Sequence, residues 1–401
     1  MALGAQLVKR GHRVIFFQPA VGKALVRAAG LEYCAIGDTS GTPRKAVFNP
    51  NRQPTVRRTL DKVLETHASE VLHSAPEALI REGVDALVVD ETDLAAGSVA
   101  QHLDKPFVNI GIIPPLFLDD ALPPFNQGWS PNGGLTPRLR NRFGNAAAMR
   151  IFKPAIDLVN RQRKEWGLRQ FRHVNEVFSD VASISQLPAG FDFPGRQQKT
   201  LIHIGPFHDS QARRTCAFPW DQLNGKPLVY ASMGTVRNTI PTIFQTIAAA
   251  CEGLEIQLVI SLGGGCEPQE LGVLPGNPLV RYFAPQLPLL ERAVLTITHA
   301  GINTTLESLA QGVPMVAIPV TDDQPGVAAR IRWSGTGVVV PAMELSESKL
   351  RKAVQTVLQN SSYRENAARM RDEINKSGGV VRAADLVEQL TMSRRAHAQG
   401  C

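Results

Sequence analysis

Strand-like and helix-like segments alternate along almost the whole chain, and this alternation constrains the fold more than any other feature. Short β-branched or aromatic runs, typical of strands, occur in the first half at 13–17, 32–36, 85–90, 107–112, 181–186 and 201–204. Amphipathic segments separate them, the longest near 55–81 and 137–165. Such alternation builds parallel sheets that are covered by helices on both faces.

A second unit of the same kind begins near residue 226, after a segment, 206–225, whose prolines and polar residues follow no hydrophobic period. The chain has 401 residues, which is enough for two cores. The sequence therefore predicts an α/β protein with two doubly wound, Rossmann-like domains, 1–205 and 226–376, joined by a linker. Two such domains are expected to face a ligand cleft at the carboxyl ends of their strands.

The charge and the cysteine content of the chain limit which ligands it is expected to bind and where in the cell it is expected to work. The formal net charge is +7, but the basic residues are scattered and form no stripe with aromatic residues, which argues against nucleic-acid binding. A diffuse basic surface is the simplest interpretation; attraction to anionic substrates or lipid headgroups is the next, and would make the protein membrane-peripheral. Five scattered cysteines without metal-ligand spacing favour a cytoplasmic location, and the start lacks the pattern of a signal peptide.

The segment LTITHAGINTTLES, residues 295–308, has the pattern of an anion site. A buried strand ends at His299, and Gly301 then lets the backbone come close to a ligand. Asn303, Thr304 and Thr305 are expected to cap the following helix and to leave N–H groups free, which suits a phosphate or diphosphate.

Other strand ends carry residues that suit the same ligand. Glu307 lies one helical turn further on, where its carboxylate could accept ribose hydroxyls. Two further loops offer small or polar side chains to the diphosphate and to a sugar: Ser232, Gly234 and Thr235 in one, Asp323 and Gln324 in the other.

The stretch 281–329 resembles the donor-binding signature of the family 1 UDP-dependent glycosyltransferases, which have the GT-B fold. It is especially similar to the bacterial macrolide- and zeaxanthin-glycosylating members. The match comprises APQ at 284–286, THAGINT at 298–304, Glu307, GVP at 312–314 and DQ at 323–324. The resemblance implies that the C-terminal helix, 377–401, packs back on the N-terminal domain.

The resemblance also implies roles for the donor residues. His299 and the amides around Asn303 and Thr304 would bind the diphosphate, and Glu307 the ribose. Asp323 and Gln324 would hold the donor sugar, and Ala284 and Gln286 belong to the same donor site. Plant members stack a Trp on the uracil where this chain has Phe283, whose π face preserves stacking but excludes thymine less firmly.

For catalysis, the resemblance implies one inverting displacement without an obligatory metal and with no cofactor beyond the UDP-sugar co-substrate. In the family, a His after the first strand deprotonates the acceptor, and an Asp orients that His. Asp90, at the end of the strand 85–90, matches that Asp, with a helix N-cap as its alternative role. Asp93 is a weaker candidate, expected in the first helical turn.

No residue in this sequence matches the family's base. The strand and loop that would carry it would stand before Met1, so we expect an N-terminal domain that lacks its first strand. His12 is interpreted as a turn residue, and the histidines at 67, 73 and 102 as surface or packing residues. These observations leave an alternative function open, a catalytically impaired nucleotide-sugar-binding or accessory protein.

The loop 112–134 is too long for a simple connection and is rich in proline, glycine and apolar residues. Leu116, Phe117, Phe125 and Trp129 suggest a wide apolar acceptor pocket, the alternative being a loop that packs its own aromatic residues. The expected reaction is transfer of a hexose, glucose first, from a UDP-sugar to a hydroxyl of a carotenoid, sterol, polyketide or phenol.

Overall fold

The computed structural model describes residues 1–37, 53–207, 216–235 and 238–398. Part of the predicted linker, 208–215, and the last three residues of the predicted C-terminal helix lie outside the described residues. Within the described ranges, no helix combines the length and the apolar character needed to cross a bilayer. Nor do any three His, Cys, Asp or Glu side chains in those ranges form a group that could hold a metal ion.

The N-terminal domain has two parallel sheets in the described residues. Strands β1 and β2 pair with each other, and a second sheet has the order β3-β4-β5-β6. The bounds are α1 Ala2–Lys9, β1 Ile15–Gln18, α2 Lys23–Ala28, β2 Glu32–Ala35, α3 Gln53–Arg81, β3 Leu87–Asp90, α4 Ala96–His102, β4 Phe107–Gly111, α5 Leu135–Glu165, β5 Ser183–Ser185 and β6 Leu201–His203. Helices α3, α4 and α5 pack together over a core of mainly aliphatic side chains.

The C-terminal domain has one parallel sheet of order β12-β11-β10-β7-β8-β9. Its bounds are β7 Leu228–Ser232, α6 Pro241–Cys251, β8 Gln257–Ser261, β9 Leu279–Arg281, α7 Gln286–Leu290, β10 Ala293–Thr298, α8 Ile302–Ala310, β11 Met315–Ala317, α9 Gln324–Trp333, β12 Gly337–Val339, α10 Glu347–Gln359, α11 Ser361–Ser377 and α12 Gly379–Ala398. The predicted α/β architecture with parallel sheets is therefore confirmed.

The order of the C-terminal strands positions the predicted anion site. Strands β7 and β10 are neighbours at the centre of the sheet, and Ser232 lies opposite Thr298 in their register. Because parallel strands end at the same edge, the loop after Ser232 and the His299 loop meet there. Two segments that are more than sixty residues apart in the chain thereby form one site.

Helix α12 lies against the N-terminal domain. Leu3 and Leu7 of α1 share an apolar cluster with residues of α12, including Leu386. His12 lies at the same contact: its Nε2 is 2.7 Å from a carboxylate oxygen of Glu388. The turn residue expected from the sequence thus also contacts the C-terminal helix.

Candidate active site

The N-terminus of α8 lies at the centre of the candidate site. The helix begins at Ile302, and no side chain caps it. Its first backbone N–H groups, including those of Asn303 and Thr304, have no partner inside the helix and can bind an anion. The expectation that Asn303, Thr304 and Thr305 cap the helix was wrong, because the cap position is Gly301. The Thr305 N–H is not free either, since it donates to the Gly301 carbonyl at 3.0 Å and belongs to the helix ladder.

His299 is enclosed by two glycines at this edge. A Cβ at Gly234 would come within 2.6 Å of the imidazole Nε2, and one at Gly301 would also collide with the ring. Burial lowers the pKa of His299 to about 4, so its ring is neutral at physiological pH. A neutral imidazole carries one N–H and can donate a hydrogen bond to a phosphate oxygen. Ala300 follows at φ +63°, a left-handed conformation that a non-glycine residue adopts at a cost.

The loop after β7 supplies the opposite wall. Ser232 is buried, and its hydroxyl accepts a hydrogen bond from the Gly234 N–H at 3.3 Å. Thr235 follows on the exposed side of the turn. The small loop expected from the sequence is therefore present next to His299, and its contact with a diphosphate stays a prediction.

The predicted base-binding residue Phe283 lies just before α7, and the predicted ribose-binding residue Glu307 lies in α8, where it meets Gln286, the first residue of α7. Phe283 is 49% exposed and meets Tyr282 edge to face at a centroid distance of 4.9 Å. Gln286 donates to Glu307 Oε2 at 2.6 Å and accepts from the Tyr230 hydroxyl at 3.1 Å. Glu307 is fully buried. It belongs to a buried polar network rather than to the surface, and its ribose role stays a prediction.

Ala284 lies half-buried between this network and Phe283 in the chain. It packs against the small apolar cluster that includes Leu289 and Leu290. Its methyl group has no hydrogen-bond donor or acceptor, so any hydrogen bond to the base would come from its backbone.

The predicted sugar-binding pair lies at the start of α9, where Asp323 precedes the helix and Gln324 is its first residue. Burial raises the pKa of Asp323 to about 6. The Gln324 Oε1 accepts from the backbone N–H groups of Val320 and Thr321 at 2.8 and 3.1 Å. The N–H groups of the Gln324 amide can therefore donate to a ligand. The carboxylate of Asp323, which is partly buried, can accept hydrogen bonds from sugar hydroxyls.

Asp90 ends β3 as expected, but its side chain does not cap the following helix, α4. Asp90 Oδ1 accepts from the Thr92 N–H at 2.8 Å and from the Thr92 hydroxyl at 2.6 Å, which forms a local turn. It is Asp93 that accepts from the N–H groups of Ala95 and Ala96, at the start of α4.

Asp93 also faces a histidine that the sequence had suggested to be a surface or packing residue. His67 Nε2 lies 3.4 Å from Asp93 Oδ2, and the hydrogen bond to this carboxylate raises the pKa of His67 despite its partial burial. The pair therefore favours the protonated imidazole. No signal in the sequence joins positions 67 and 93, because their approach depends on how α3 packs on α4.

The four predicted acceptor residues pack largely within their own domain. Leu116 is buried in the N-terminal core, so its side chain offers no accessible surface to an acceptor. Phe117 and Phe125 are half-buried against the same core. Trp129 packs against α5 of its own domain, since the guanidinium of Arg140 lies 4.9 Å from the centroid of its ring. This is the self-packing that the sequence left open as an alternative. Acceptor contact by Phe117, Phe125 and Trp129 stays a prediction.

The acceptor loop nevertheless reaches the donor domain. The Phe125 carbonyl lies so close to Gly326, near the start of α9, that a Cβ there would collide with it. The Gly128 carbonyl accepts from Arg332 at 2.8 Å. Since Gly326 is three residues after Asp323, these contacts bring the loop 112–134 beside the predicted sugar-binding residues.

A buried ion pair also joins the domains. Asp192, after β5, accepts from Arg330 of α9 at 2.7 Å and from Arg196 at 2.9 Å. Burial by itself would raise the pKa of Asp192, but the two guanidinium groups outweigh it and hold the pKa well below its usual range. No pattern in the sequence indicates this pair, since 138 positions separate Asp192 from Arg330.

A glycine loop that the sequence analysis did not assign also belongs to the site. It follows β8, and Gly264 lies so close to the Phe283 ring that a Cβ would approach it to 2.8 Å. Asn238 donates to the carbonyls of Gly234 and Leu262 at 2.8 and 2.6 Å and so ties two strand-end loops together. The GGG run at 263–265, directly after a strand, was the signal that could have revealed it.

The structure has two α/β domains. In the second, a helix N-terminus lies beside a neutral histidine, and a polar loop faces the acceptor domain. Together these features define a glycosyltransferase of GT-B architecture that uses a nucleotide-sugar donor. The chain belongs to the UDP-glucoronosyl and UDP-glucosyl transferase family, whose model matches residues 175–377. This segment contains all the predicted donor-binding residues, whereas Asp90 and the acceptor loop lie outside it.

Relatives extend the similarity to nearly the full length. A zeaxanthin glucosyltransferase from Pantoea ananas is 28% identical and covers 97% of this chain and 91% of its own length. A 4'-demethylrebeccamycin synthase from Lentzea aerocolonigenes is 29% identical over 96% of this chain and 94% of its own. Among solved structures, the calicheamicin glycosyltransferase CalG4 is 25% identical, with a TM-score of 0.75 over 97% of this chain and 93% of its own.

Proposed function

We propose that the chain transfers a hexose, glucose first, from a UDP-sugar to a hydroxyl of a hydrophobic acceptor. The observation that carries the proposal is the N-terminus of α8, where N–H groups that no side chain caps lie beside the neutral His299. The names of the two relatives, a glucosyltransferase of zeaxanthin and a synthase of 4'-demethylrebeccamycin, support a large hydrophobic acceptor, such as a carotenoid.

In this mechanism the acceptor oxygen attacks the anomeric carbon of the donor sugar on the face opposite the diphosphate. The bond from the anomeric carbon to the phosphate oxygen breaks, and UDP leaves with the electron pair. His299 and the α8 N–H groups stabilise the charge that develops on the diphosphate. Asp323 and Gln324 orient the sugar hydroxyls, and no step requires a metal ion.

The acceptor proton must pass to a base as the new bond forms. We propose that Asp90 orients that base, as its place at the end of β3 suggests. One Asp90 oxygen holds the Thr92 turn, and the carboxylate keeps a second oxygen for an imidazole.

A second candidate is a protein that binds the nucleotide sugar without transferring it. It is favoured by a specific observation: within the described residues, the Asp90 carboxylate accepts its hydrogen bonds from Thr92 and none from a histidine. Donor binding is common to both candidates, so only turnover separates them.

The test measures UDP binding and turnover on the same protein. Calorimetry should show at least about tenfold weaker UDP binding for His299→Gln or Glu307→Gln, a loss of about 1.4 kcal/mol. His73→Ala, a change at an exposed position on α3, serves as the matched control. Unchanged UDP affinity in both site variants, with the fold intact by circular dichroism, would refute the donor site.

Turnover is measured with UDP-glucose and a panel of hydrophobic alcohols. Glucoside formation that falls in Asp90→Asn supports the transferase. Tight UDP binding without any product would favour the binding protein.

A further inference from the structure

The first turns of α5 carry an apolar stripe that nothing in the described structure covers. Leu135, Leu139 and Phe143 are 81%, 56% and 76% exposed. Their spacing of four residues places them on one face of the helix. Single exposed apolar side chains are normal, but three large ones in a row on one helix are not.

Cations surround this stripe, and anions are absent from its neighbourhood in the sequence. Arg138, Arg142 and Arg150 are exposed on the same helix. Between residues 121 and 156 the sequence contains no Asp or Glu at all. Among the ion pairs of the described residues, none involves Arg138 or Arg142. A large apolar stripe with cations on the polar flank is the composition of a helix that lies in a membrane interface.

The opposite face of α5 holds the helix firmly in the domain. Asn141, Asn145, Ala148 and Phe152 are buried, and the helix packs along α3. The exposed stripe is thus a fixed feature of the surface rather than one face of a loosely attached helix. Its direction is set by the core of the N-terminal domain.

The stripe is continuous with the acceptor loop. Residue 134 ends the loop and Leu135 starts α5, while Arg140 of α5 donates to the loop carbonyl of Ser130 at 2.9 Å. Near its middle, at Phe125, the same loop contacts Gly326 of the donor domain. A surface bound through α5 would therefore lie next to the segment proposed to receive hydrophobic acceptors.

We propose that the face formed by Leu135, Leu139 and Phe143, with Arg138 and Arg142, docks on the surface of an anionic phospholipid bilayer. The three apolar side chains enter the headgroup boundary, and the guanidinium groups contact lipid phosphates. Charge complementarity selects this occupant, because a stretch of thirty-six residues with only positive charges matches an anionic surface. The proposal goes beyond the proposed function, since docking needs neither donor nor turnover.

The test is flotation of the full chain with vesicles of phosphatidylcholine alone or of equal parts phosphatidylcholine and phosphatidylglycerol. We expect at least about tenfold tighter binding to the anionic vesicles, weakened by added salt. The variant Leu135→Ser/Leu139→Ser/Phe143→Ser should lose binding at least about tenfold, and Arg138→Gln/Arg142→Gln should lose most of the preference for anionic vesicles.

The control variant Val273→Ser/Met343→Ser removes two exposed apolar side chains from the C-terminal domain. It should bind like the parent chain. UDP affinity and the thermal midpoint show that each variant is folded. Equal binding of the stripe variant and the parent chain would overturn the proposal, as would failure of the parent chain to float with anionic vesicles. Stripe-dependent dimerisation without vesicle binding, seen by sedimentation equilibrium, would also overturn it and assign the face to a second copy.

Discussion

Replacing Glu91 by glutamine should change how the stability of the N-terminal domain depends on pH. Glu91 directly follows β3, and its N–H donates to the Ile110 carbonyl at 3.0 Å. The side chain is fully buried beside Gly111. Burial raises the pKa of Glu91 from its ordinary 4.5 to about 7, although the Leu116 N–H and the charge of Arg196 partly oppose the shift.

The sign follows from proton binding. Between the two pKa values the unfolded chain has released the Glu91 proton and the folded chain still holds it. The free energy of unfolding therefore falls as the pH rises through this window. Each pH unit between the two values costs about 1.4 kcal/mol, so the full loss is about 3 kcal/mol once the pH exceeds 7.

Glu91→Gln keeps the shape of the side chain and removes this titration. Denaturant unfolding of both proteins at several pH values from about 5 to 8, followed by tryptophan fluorescence, measures the effect. The stability of the variant relative to the parent chain should increase by up to about 3 kcal/mol across this range. Glu255→Gln, which changes an exposed glutamate, is the control and should follow the parent chain. Parallel pH profiles for Glu91→Gln and the parent chain would refute the reasoning.

Two further predictions concern the domain contact and the base platform. Asp192→Asn leaves the buried guanidinium of Arg330 without its carboxylate and should lower the free energy of unfolding by about 3 kcal/mol. Denaturant unfolding measures this loss, and a value under about 1 kcal/mol would contradict a strong contact between the two side chains. Phe283→Ala should weaken UDP binding by about 1–3 kcal/mol in calorimetry, whereas Phe283→Trp should preserve it, because stacking needs an aromatic face. Equal affinities for the alanine and tryptophan variants would exclude stacking.

The donor site shows how far local sequence can be interpreted. His299, Gly301 and Asn303 lie within five residues, and a strand followed by a helix fixes their relation, so their pattern predicts an anion site. The prediction of a free Thr305 N–H was wrong because the helix starts at Ile302, two positions earlier than a capping role for Asn303 requires. Helix ends depend on small differences in backbone geometry, which the sequence specifies weakly.

The acceptor side was harder to predict for a physical reason. Aromatic residues in a long loop bury apolar area equally well against their own domain or against a ligand. Leu116 lies in the core, which hydrophobicity alone could not distinguish from a pocket wall. The contact of the Phe125 carbonyl with Gly326 depends on two backbone segments that only the domain arrangement brings together.

The sequence by itself determined the alternation of strands and helices, the parallel sheets and the glycosyltransferase signature, because these depend on residue periodicity and on motifs within a few turns. Only the tertiary structure decided which groups are buried and what they meet. The Asp192–Arg330 pair, the His67–Asp93 pair and the uncovered stripe on α5 all follow from how distant elements pack. Burial sets the pKa values of Glu91 and His299, and burial is a property of the folded chain rather than of any local pattern.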